Sequence, residues 1–242
     1  MKPLFFLMIS FCFANQNFAQ YLEKQNLNFN GTSFDAIVFK IDSNISKRFY
    51  VLENDGTKTE EQVFASIQGS FFAVNAGTTD ANCDLLGLYI KEKIPQQPVN
   101  LNNGEGNFYI QPNGFIGFLN NEIEIKSASK FNSSVTYNNA IQNGPMLISD
   151  NVINPAFNVS STNKNYRVGV GTFFSNNGQF MVFAFSNSPL TFYQFASFFS
   201  NKFKCNNALI LEGGDACSMH LPTYKKTPSN TKKLCKYLVL NL

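Results

Sequence analysis

Two segments of the chain place hydrophobic residues at helical spacing, and a short apolar run follows each of them. Thr59 precedes the first segment with Gln62 three residues later, and Thr191 and Gln194 repeat this arrangement before the second. A threonine followed at this distance by glutamine is the capping-box pattern that begins helices. The pattern therefore predicts two helices, each leading into a buried strand, at 70–74 and 208–211.

Polar residues and glycine come directly after both predicted strands. The first strand runs into Asn75 and Gly77, and the second runs into Glu212 and Gly213. If both strands lie in one sheet, Asn75 and Glu212 emerge at the same edge, where strand ends commonly hold ligands. The alternative is that both are ordinary helix-to-strand corners without chemistry, and the pattern alone favours this alternative.

Between these helices the hydrophobic pattern predicts strands. Two groups of turn residues, 112–114 and 175–178, each separate two β-prone runs and predict β-hairpins. Ile123 and Ile125 alternate with charged residues, as expected of a half-exposed strand. No linker or change in composition divides the chain. We therefore predict one α+β domain over 20–242, with a mixed, largely antiparallel β-sheet core and a few packed helices.

The N-terminal residues have the pattern of a secretory signal peptide. Lys2 precedes an apolar run over 4–13, and small and polar residues follow up to Ala19. This run is too short to span a bilayer, and no later apolar run is long enough to do so. The sequence predicts a signal peptide at 1–19. The mature protein is then exported to the periplasm or the extracellular space and has no membrane span.

Composition narrows the classes of partner and cofactor. The formal net charge is +3 and basic residues form no block, which argues against nucleic acid as a partner. In an oxidising compartment the cysteines beyond the signal peptide predict two disulfides, with three alternative pairings. These cysteines are Cys83, Cys205, Cys217 and Cys235. With a single histidine and no CxxC pair a structural zinc site is not expected. We predict no cofactor, and the sequence leaves any metal requirement open.

Two carboxylates lie on either side of a glycine pair in the second corner. Glu212 and Asp215 flank Gly213 and Gly214, and glycines allow a ligand to approach backbone N–H groups closely. Glycosyl transfer usually uses two acids, so these carboxylates are candidates for a nucleophile or a general acid. The alternative is a tight turn with solvated acids, since Gly and Asp commonly build turns.

Further candidate binding residues lie in or near predicted strands. Arg167 begins a hairpin strand, where its guanidinium offers paired donors to a phosphate or is simply solvated. Gly144 and Pro145 interrupt another strand, and Gln142 and Asn143 before them offer amides to sugar hydroxyls. These residues are therefore candidates for substrate binding.

Six segments follow one another along the chain in a specific order. They are AVNAG, LLGLYI, GNFYIQPNG, AIQNGPMLISDNVINPAFN, YRVGVG and PLTFYQFASFFSNKFKCNNALILEGG. Together they resemble successive blocks of the phosphodiester glycosidase family, and most closely its compact bacterial branch. The resemblance covers roughly residues 66–221, and six blocks in order are far more specific than any single motif.

The resemblance implies hydrolysis of the bond between the anomeric carbon of a sugar and a phosphate. It implies an Asn-Gly loop, a QxGP block, an arginine and an Asp-Gly pair as the site. The matching positions are Asn75, Gly77, Gly144, Arg167 and the pair Glu212-Gly213. Its implied substrate is a phosphorylated glycan or another sugar phosphate.

This resemblance gives the charged candidates definite roles. Arg167 and glycine N–H groups would bind the phosphate, because a phosphate leaving group needs electrostatic binding more than acid help. Glu212 would stabilise the oxocarbenium-like sugar or act as nucleophile or base, with Asp215 as a second acid.

The chain departs from the family pattern at the carboxylate. The family usually has Asp where this chain has Glu212, and the extra methylene moves the carboxylate by about a bond length. Thr78 and Thr79 follow the Asn-Gly loop, where the family commonly has aromatic residues or methionine. The alternative function is therefore a degenerate family member that binds phosphorylated glycan without turnover.

Overall fold

The computed structural model of the protein describes residues 22–42, 44–227 and 234–242, so the predicted signal peptide lies outside the described residues. The helices are α1 (Ile45–Arg48), α2 (Glu60–Phe64) and α3 (Phe192–Phe198). The strands are β1 (Leu22–Phe29), β2 (Thr32–Lys40), β3 (Phe49–Glu53), β4 (Phe71–Asn75), β5 (Tyr89–Lys91), β6 (Ile94–Gln97), β7 (Gly114–Phe118), β8 (Ile123–Ser127), β9 (Asn139–Asn143), β10 (Met146–Ser149), β11 (Val152–Ile153), β12 (Arg167–Ser175), β13 (Gly178–Ser186), β14 (Asn207–Gly213), β15 (Met219–Leu221), β16 (Tyr224–Lys226) and β17 (Lys236–Asn241). In the described ranges, none of the helices has the length and apolar character needed to cross a membrane.

The strands form three sheets. One sheet has seven strands in the order β1-β2-β13-β12-β14-β10-β11, and two have five, in the orders β16-β15-β4-β17-β3 and β6-β5-β9-β7-β8. Every strand pairing within the described part of the chain is antiparallel. The predicted single domain with largely antiparallel pairing and few helices is therefore confirmed at this level, but sheet structure dominates and is divided among three sheets.

Phenylalanine side chains hold the three sheets together. Phe72 of β4 lies 5.2 Å from Phe39 of β2 and 4.7 Å from Phe183 of β13, measured between ring centroids. Phe49 of β3 stacks on Phe118 of β7 at 4.7 Å. All these rings are buried. Aromatic pairs at such distances contribute about 0.5–1.5 kcal/mol beyond their burial. Because the paired rings come from strands of all three sheets, the sheets share one hydrophobic core.

The two predicted capping boxes are present. The Thr59 hydroxyl accepts from the Gln62 backbone N–H while the Gln62 side chain accepts from Thr59 N–H, and Thr191 and Gln194 do the same for α3. Each box satisfies two backbone donors that a helix start leaves unpaired. The helices therefore begin where the sequence predicts. A five-residue π-helical turn, Phe199–Phe203, extends α3 before the chain enters β14.

The two corner strands lie in different sheets. β4 pairs with β15 and β17, whereas β14 pairs with β10 and β12. The one-sheet arrangement considered from the sequence is therefore wrong. The sheets are nevertheless joined directly, because the chain that leaves β14 continues into β15 and so runs beside the end of β4.

One predicted hairpin is confirmed and the other is wrong. β12 and β13 pair over their length around the 175–178 turn, and β8 has the expected alternation of buried and half-buried residues. The run before the 112–114 turn instead contains a 3₁₀ helix, Asn107–Tyr109. β7 already pairs with β8 on one side and β9 on the other, which leaves no edge for that run to join.

The described cysteines form one disulfide, and the prediction of two is wrong. Cys83 bonds to Cys235, while Cys205 and Cys217 are free and buried. Cys205 packs in the hydrophobic cluster that contains the α3 side chains, and Cys217 packs in the cluster between the sheets. The seven-stranded sheet contributes to both clusters and lies between them, so these two thiols do not meet.

Candidate functional site

Four of the predicted site residues line one cavity of about 240 Å³. These are Gly144, Arg167, Glu212 and Gly213. The other lining residues are Thr78, Leu86, Glu105, Gly106, Asn107, Phe108, Phe192, Ile210 and Leu211. The charged residues that line the cavity are thus one arginine and two glutamates, and we take it as the candidate active site.

The pairing of β12 with β14 brings the charged groups together. In this register Arg167 lies opposite Gly213 and Val168 lies opposite Glu212. A Cβ placed on Gly213 would lie 3.7 Å from Arg167 Nη1, so the guanidinium reaches over the glycine. The carboxylate Oε1 of Glu212 accepts from the Gly213 N–H at 3.0 Å. An anion-binding group and a carboxylate therefore occupy neighbouring strands at one end of the sheet.

Arg167 is buried and held from three sides. Only 2% of the residue is exposed, and its Nε donates to the Leu190 carbonyl at 2.9 Å. Its backbone N–H donates to the Ser186 hydroxyl at 2.8 Å. The guanidinium carbon lies 3.7 Å from the ring centroid of Phe192, a cation–π distance. Burial lowers the pKa of Arg167 to about 10, so the side chain remains a cation at neutral pH.

Cys217 lies close enough to these charges to be affected by them. Burial raises the pKa of its thiol well above the ordinary value, and the negative charge of Glu212 raises it further, while Arg167 acts in the opposite direction. The thiol is therefore protonated at neutral pH. Because the thiolate is the reactive form, Cys217 is a packing residue under the site.

Two of the matched glycines are required by close contacts. A Cβ on Gly144 would lie 2.3 Å from the Phe108 carbonyl oxygen, which is far inside van der Waals contact. Gly77 has φ +94°, and a Cβ there would lie 2.5 Å from Leu85 Cδ2. The backbone contact excludes a side chain at Gly144, and the positive φ disfavours one at Gly77, so each glycine lets two segments of the site meet.

Asn143 connects the Gly77 loop to the strand that carries Glu212. Its Oδ1 accepts from the Gly77 N–H at 3.1 Å, and its Nδ2 donates to the Leu211 carbonyl at 2.8 Å. The side chain is fully buried. The amide that the sequence offers to a sugar is thus bonded to backbone on both sides.

Gln142 is likewise bonded within the protein. Its Oε1 accepts from the N–H groups of Leu88 and Asn100 at 2.8 and 2.9 Å, and its Nε2 donates to the Asn100 carbonyl at 2.7 Å. Neither amide of the Gln142-Asn143 pair lines the cavity. Both residues hold the loops that surround it.

The remaining predicted residues lie around the cavity without lining it. Asn75, at the end of β4, is buried, and its Oδ1 accepts from the Ser218 N–H at 2.7 Å. Gly214 has φ +67° and donates its N–H to the Tyr166 carbonyl at 2.8 Å. Asp215 follows in a 3₁₀ turn and is exposed. The structure therefore places Glu212 in the cavity, and Asp215 outside it.

A larger, more open cleft of about 420 Å³ lies elsewhere, beside the disulfide. It is lined by Glu53, Asn54, Asp55, Lys58, Asn82, Cys83, Asp84 and Lys236. None of the predicted site residues is among them. Across the described ranges, no group of three or more His, Cys, Asp or Glu residues is arranged to hold a metal ion.

Sequence reasoning missed most of the cavity wall. Asn107 and Phe108 belong to the run that was predicted as a hairpin arm, and Glu105, just before that run, was not singled out. Phe192 was predicted only as part of a helix face. The glycines at 104 and 106 were the available signal, since glycine pairs mark loops that approach other groups closely.

Comparison with known proteins agrees with the resemblance drawn from the sequence. The sequence profile of the phosphodiester glycosidase family matches residues 61–239. The uncharacterized protein YigE of Escherichia coli K12 is 34% identical over 141 residues, which are 58% of this chain and 54% of YigE. The chain therefore spans about half the length of this relative.

Two solved structures share the fold. The catalytic domain of zebrafish N-acetylglucosamine-1-phosphodiester alpha-N-acetylglucosaminidase, auto-inhibited by its pro-peptide, is matched with a TM-score of 0.60 and 16% identity over 91% of this chain and 82% of that one. A hypothetical protein from Synechocystis is matched with a TM-score of 0.59 and 13% identity over 91% of this chain and 62% of that one.

The family profile covers most of the chain, and the glycine, arginine and glutamate that the resemblance in the sequence pointed to meet in one cavity. The chain belongs to the phosphodiester glycosidase family.

Proposed function

We propose that the protein is an exported glycosidase that hydrolyses the bond between a sugar's anomeric carbon and a phosphodiester phosphate. The observation that carries this proposal is the presence of Arg167 and Glu212 in one cavity, on paired strands of the same sheet. The cation can bind a phosphate and the carboxylate can face the sugar carbon attached to it.

Arg167 supplies the phosphate site in this proposal. Its Nε bond to Leu190 and the Phe192 ring fix the guanidinium before substrate arrives, so little ordering is needed on binding. The phosphate leaves as a stable anion, and a fixed cation stabilises the charge that develops as the glycosidic bond breaks.

Glu212 supplies the carboxylate. It stabilises the positive charge that develops on the sugar, or acts as nucleophile or base toward the anomeric carbon. We assign this role to Glu212 alone, since Asp215 is exposed outside the cavity. Asn75, Gln142 and Asn143 act by holding the surrounding loops.

Export is the second part of the proposal. It is supported by the signal-peptide pattern at 1–19 and by the Cys83–Cys235 disulfide, which is typical of oxidising compartments. N-terminal sequencing of the protein recovered from the periplasm or medium should begin near residue 20. Recovery of the uncleaved chain from the cytoplasm contradicts export.

Hydrolysis of a simple N-acetylglucosamine 1-phosphodiester tests the activity. We expect wild type to release the sugar, and Glu212→Gln to lose about 100-fold or more in kcat while still binding the diester, as for loss of one transition-state interaction. Arg167→Lys should raise KM and lower kcat, because lysine cannot offer the same paired donors to the bound phosphate or to the charge that develops on it. Glu122→Gln, an exposed change outside the cavity, is the matched control.

The outcomes separate the two candidate functions. Turnover that survives in Glu212→Gln contradicts the assignment of the carboxylate. Binding of the diester by wild type without turnover identifies a degenerate family member, which the change from the family Asp to Glu212 would explain.

A further inference from the structure

Glu105 is a carboxylate in the wall of the candidate active site, and the proposed reaction gives it no role. It is exposed, whereas Arg167 in the same wall is buried, so Glu105 lies at the outer part of the cavity. None of the ion pairs within the described ranges includes Glu105. Its charge is therefore available to a bound molecule.

The loop that carries Glu105 is held in place by its neighbours. A Cβ on Gly104 would lie 2.9 Å from the Tyr109 ring, and Gly106 has φ +90°. The Tyr109 N–H donates to the Gly106 carbonyl at 3.2 Å, and Phe108 is buried against Gly144. These contacts position Glu105 relative to the inner wall.

The size of the cavity determines what reaches Glu105. At about 240 Å³ it is smaller than the pockets of about 300–1,000 Å³ that enclose drug-sized ligands. In the proposed function the sugar carbon lies at Glu212 and the phosphate at Arg167, deep in the cavity. The alcohol on the other side of the phosphate then extends outward past Glu105.

Charge then determines which alcohol is favoured. The charged groups of the wall are Arg167, Glu212 and Glu105, so the only cation is already used by the phosphate. A second anion beyond the phosphate would face Glu105 and be repelled, whereas a cation would be attracted. We propose that Glu105 is a specificity-determining residue that selects phosphodiesters of cationic alcohols, such as amino alcohols or quaternary ammonium alcohols. This inference rests on the proposed function.

Two substrates of equal shape test the inference. One is the choline diester of N-acetylglucosamine 1-phosphate, and the other is its 3,3-dimethylbutyl analogue, in which carbon replaces the quaternary nitrogen. We expect wild type to favour the choline diester by about threefold in kcat/KM at low ionic strength, the size expected of an exposed ion pair. Added salt should reduce this ratio.

Variants assign the preference to one residue. Glu105→Gln should bring the ratio of kcat/KM values close to one, mainly by lowering kcat/KM for the choline diester. Glu122→Gln, an exposed glutamate outside the cavity, should keep the wild-type ratio.

The other possible results contradict either the role of Glu105 or the proposed function. A ratio near one in wild type, or a ratio unchanged in Glu105→Gln, overturns the role of Glu105 while leaving the glycosidase activity standing. A lack of turnover of both diesters overturns the proposed function, and this inference with it.

Discussion

At the scale of single residues, Asn143 has an unusual position between two segments of the site. Its amide bonds the Gly77 N–H and the Leu211 carbonyl, and Leu211 directly precedes Glu212. Four residues away on the same strand, Asn139 makes the same kind of bridge, accepting from the Glu92 N–H and donating to the Phe49 carbonyl. Only Asn143 makes its bridge next to the cavity. Comparing variants of Asn143 and Asn139 therefore distinguishes a role in stability from a role in positioning the site.

We expect Asn143→Ala and Asn139→Ala to lower the free energy of unfolding by similar amounts, about 1–3 kcal/mol, since each leaves buried backbone groups without partners. Only Asn143→Ala should reduce kcat/KM, because it releases the segment before Glu212. Urea denaturation and kinetics below both melting temperatures measure the two effects. An equal loss of activity in Asn139→Ala would show that the effect is one of stability.

At the scale of elements, the start of α3 supports the phosphate site. Leu190 accepts from Arg167, Thr191 caps the helix and Phe192 packs on the guanidinium. The second capping box, at Thr59, begins α2, and no residue of α2 lines the cavity. The two capping boxes therefore have the same local hydrogen bonds, but only the box at Thr191 begins a helix that contributes to the cavity.

Thr191→Ala and Thr59→Ala should each lower the free energy of unfolding by about 1 kcal/mol, the usual effect of losing a helix cap. Thr191→Ala should in addition raise KM for the phosphodiester, because Arg167 loses part of its support. Steady-state kinetics beside thermal denaturation tests this expectation. It fails if KM rises equally in both variants.

His220 of β15, which packs against α2 and β4, should make the stability of the protein depend on pH. The His220 ring lies 5.2 Å from the Phe64 ring and 5.0 Å from the Phe71 ring, and burial lowers the pKa of His220 below its ordinary value. Glu60 raises this pKa and Lys225 lowers it, each less than burial does. The unfolded chain therefore binds a proton at His220 more readily than the folded chain does.

Stability should consequently fall as pH drops through the unfolded histidine pKa of about 6.5. We expect His220→Phe to remove this contribution, so the difference in free energy of unfolding between variant and wild type should shift in favour of the variant from pH 7.5 to pH 5. Urea denaturation at both pH values measures it. A difference that does not change with pH contradicts the assignment.

At the scale of the whole molecule, the disulfide anchors the loop between β4 and β5. Cys83 lies in this loop, whose Thr78 and Leu86 line the cavity, and Cys235 lies just before β17. The bond closes a sequence separation of 152 residues. Closing so long a loop restricts the unfolded chain strongly, by up to about 5 kcal/mol in the chain-entropy account.

The variant with both Cys83→Ser and Cys235→Ser should lose about 2–5 kcal/mol in the free energy of unfolding. Dithiothreitol should lower the melting temperature of wild type toward that of the variant. The variant itself should not respond, since Cys205 and Cys217 are free thiols. A reductant effect of equal size on the variant would mean that the disulfide is not its cause.

The predictions that held at the element scale depend on neighbouring residues. Capping boxes join residues three apart, and the 175–178 hairpin joins strands through a tight turn. Such contacts are set by local hydrogen bonds and by the spacing of hydrophobic residues. The failed hairpin before 112–114 had the same local signals, but β8 and β9 occupy both edges of β7. Which strand pairs with a given edge therefore depends on the arrangement of the whole sheet.

By itself the sequence determined the helix starts, the largely antiparallel character of the fold and the family, and it proposed candidate site residues. Only the tertiary structure decided that Cys83 pairs with Cys235, that Asn143 bonds backbone, and that Glu105 lines the cavity. The first group rests on short-range geometry and on motifs written directly in the chain. The second depends on which distant segments pack together, and that is determined by burial of the shared phenylalanine core.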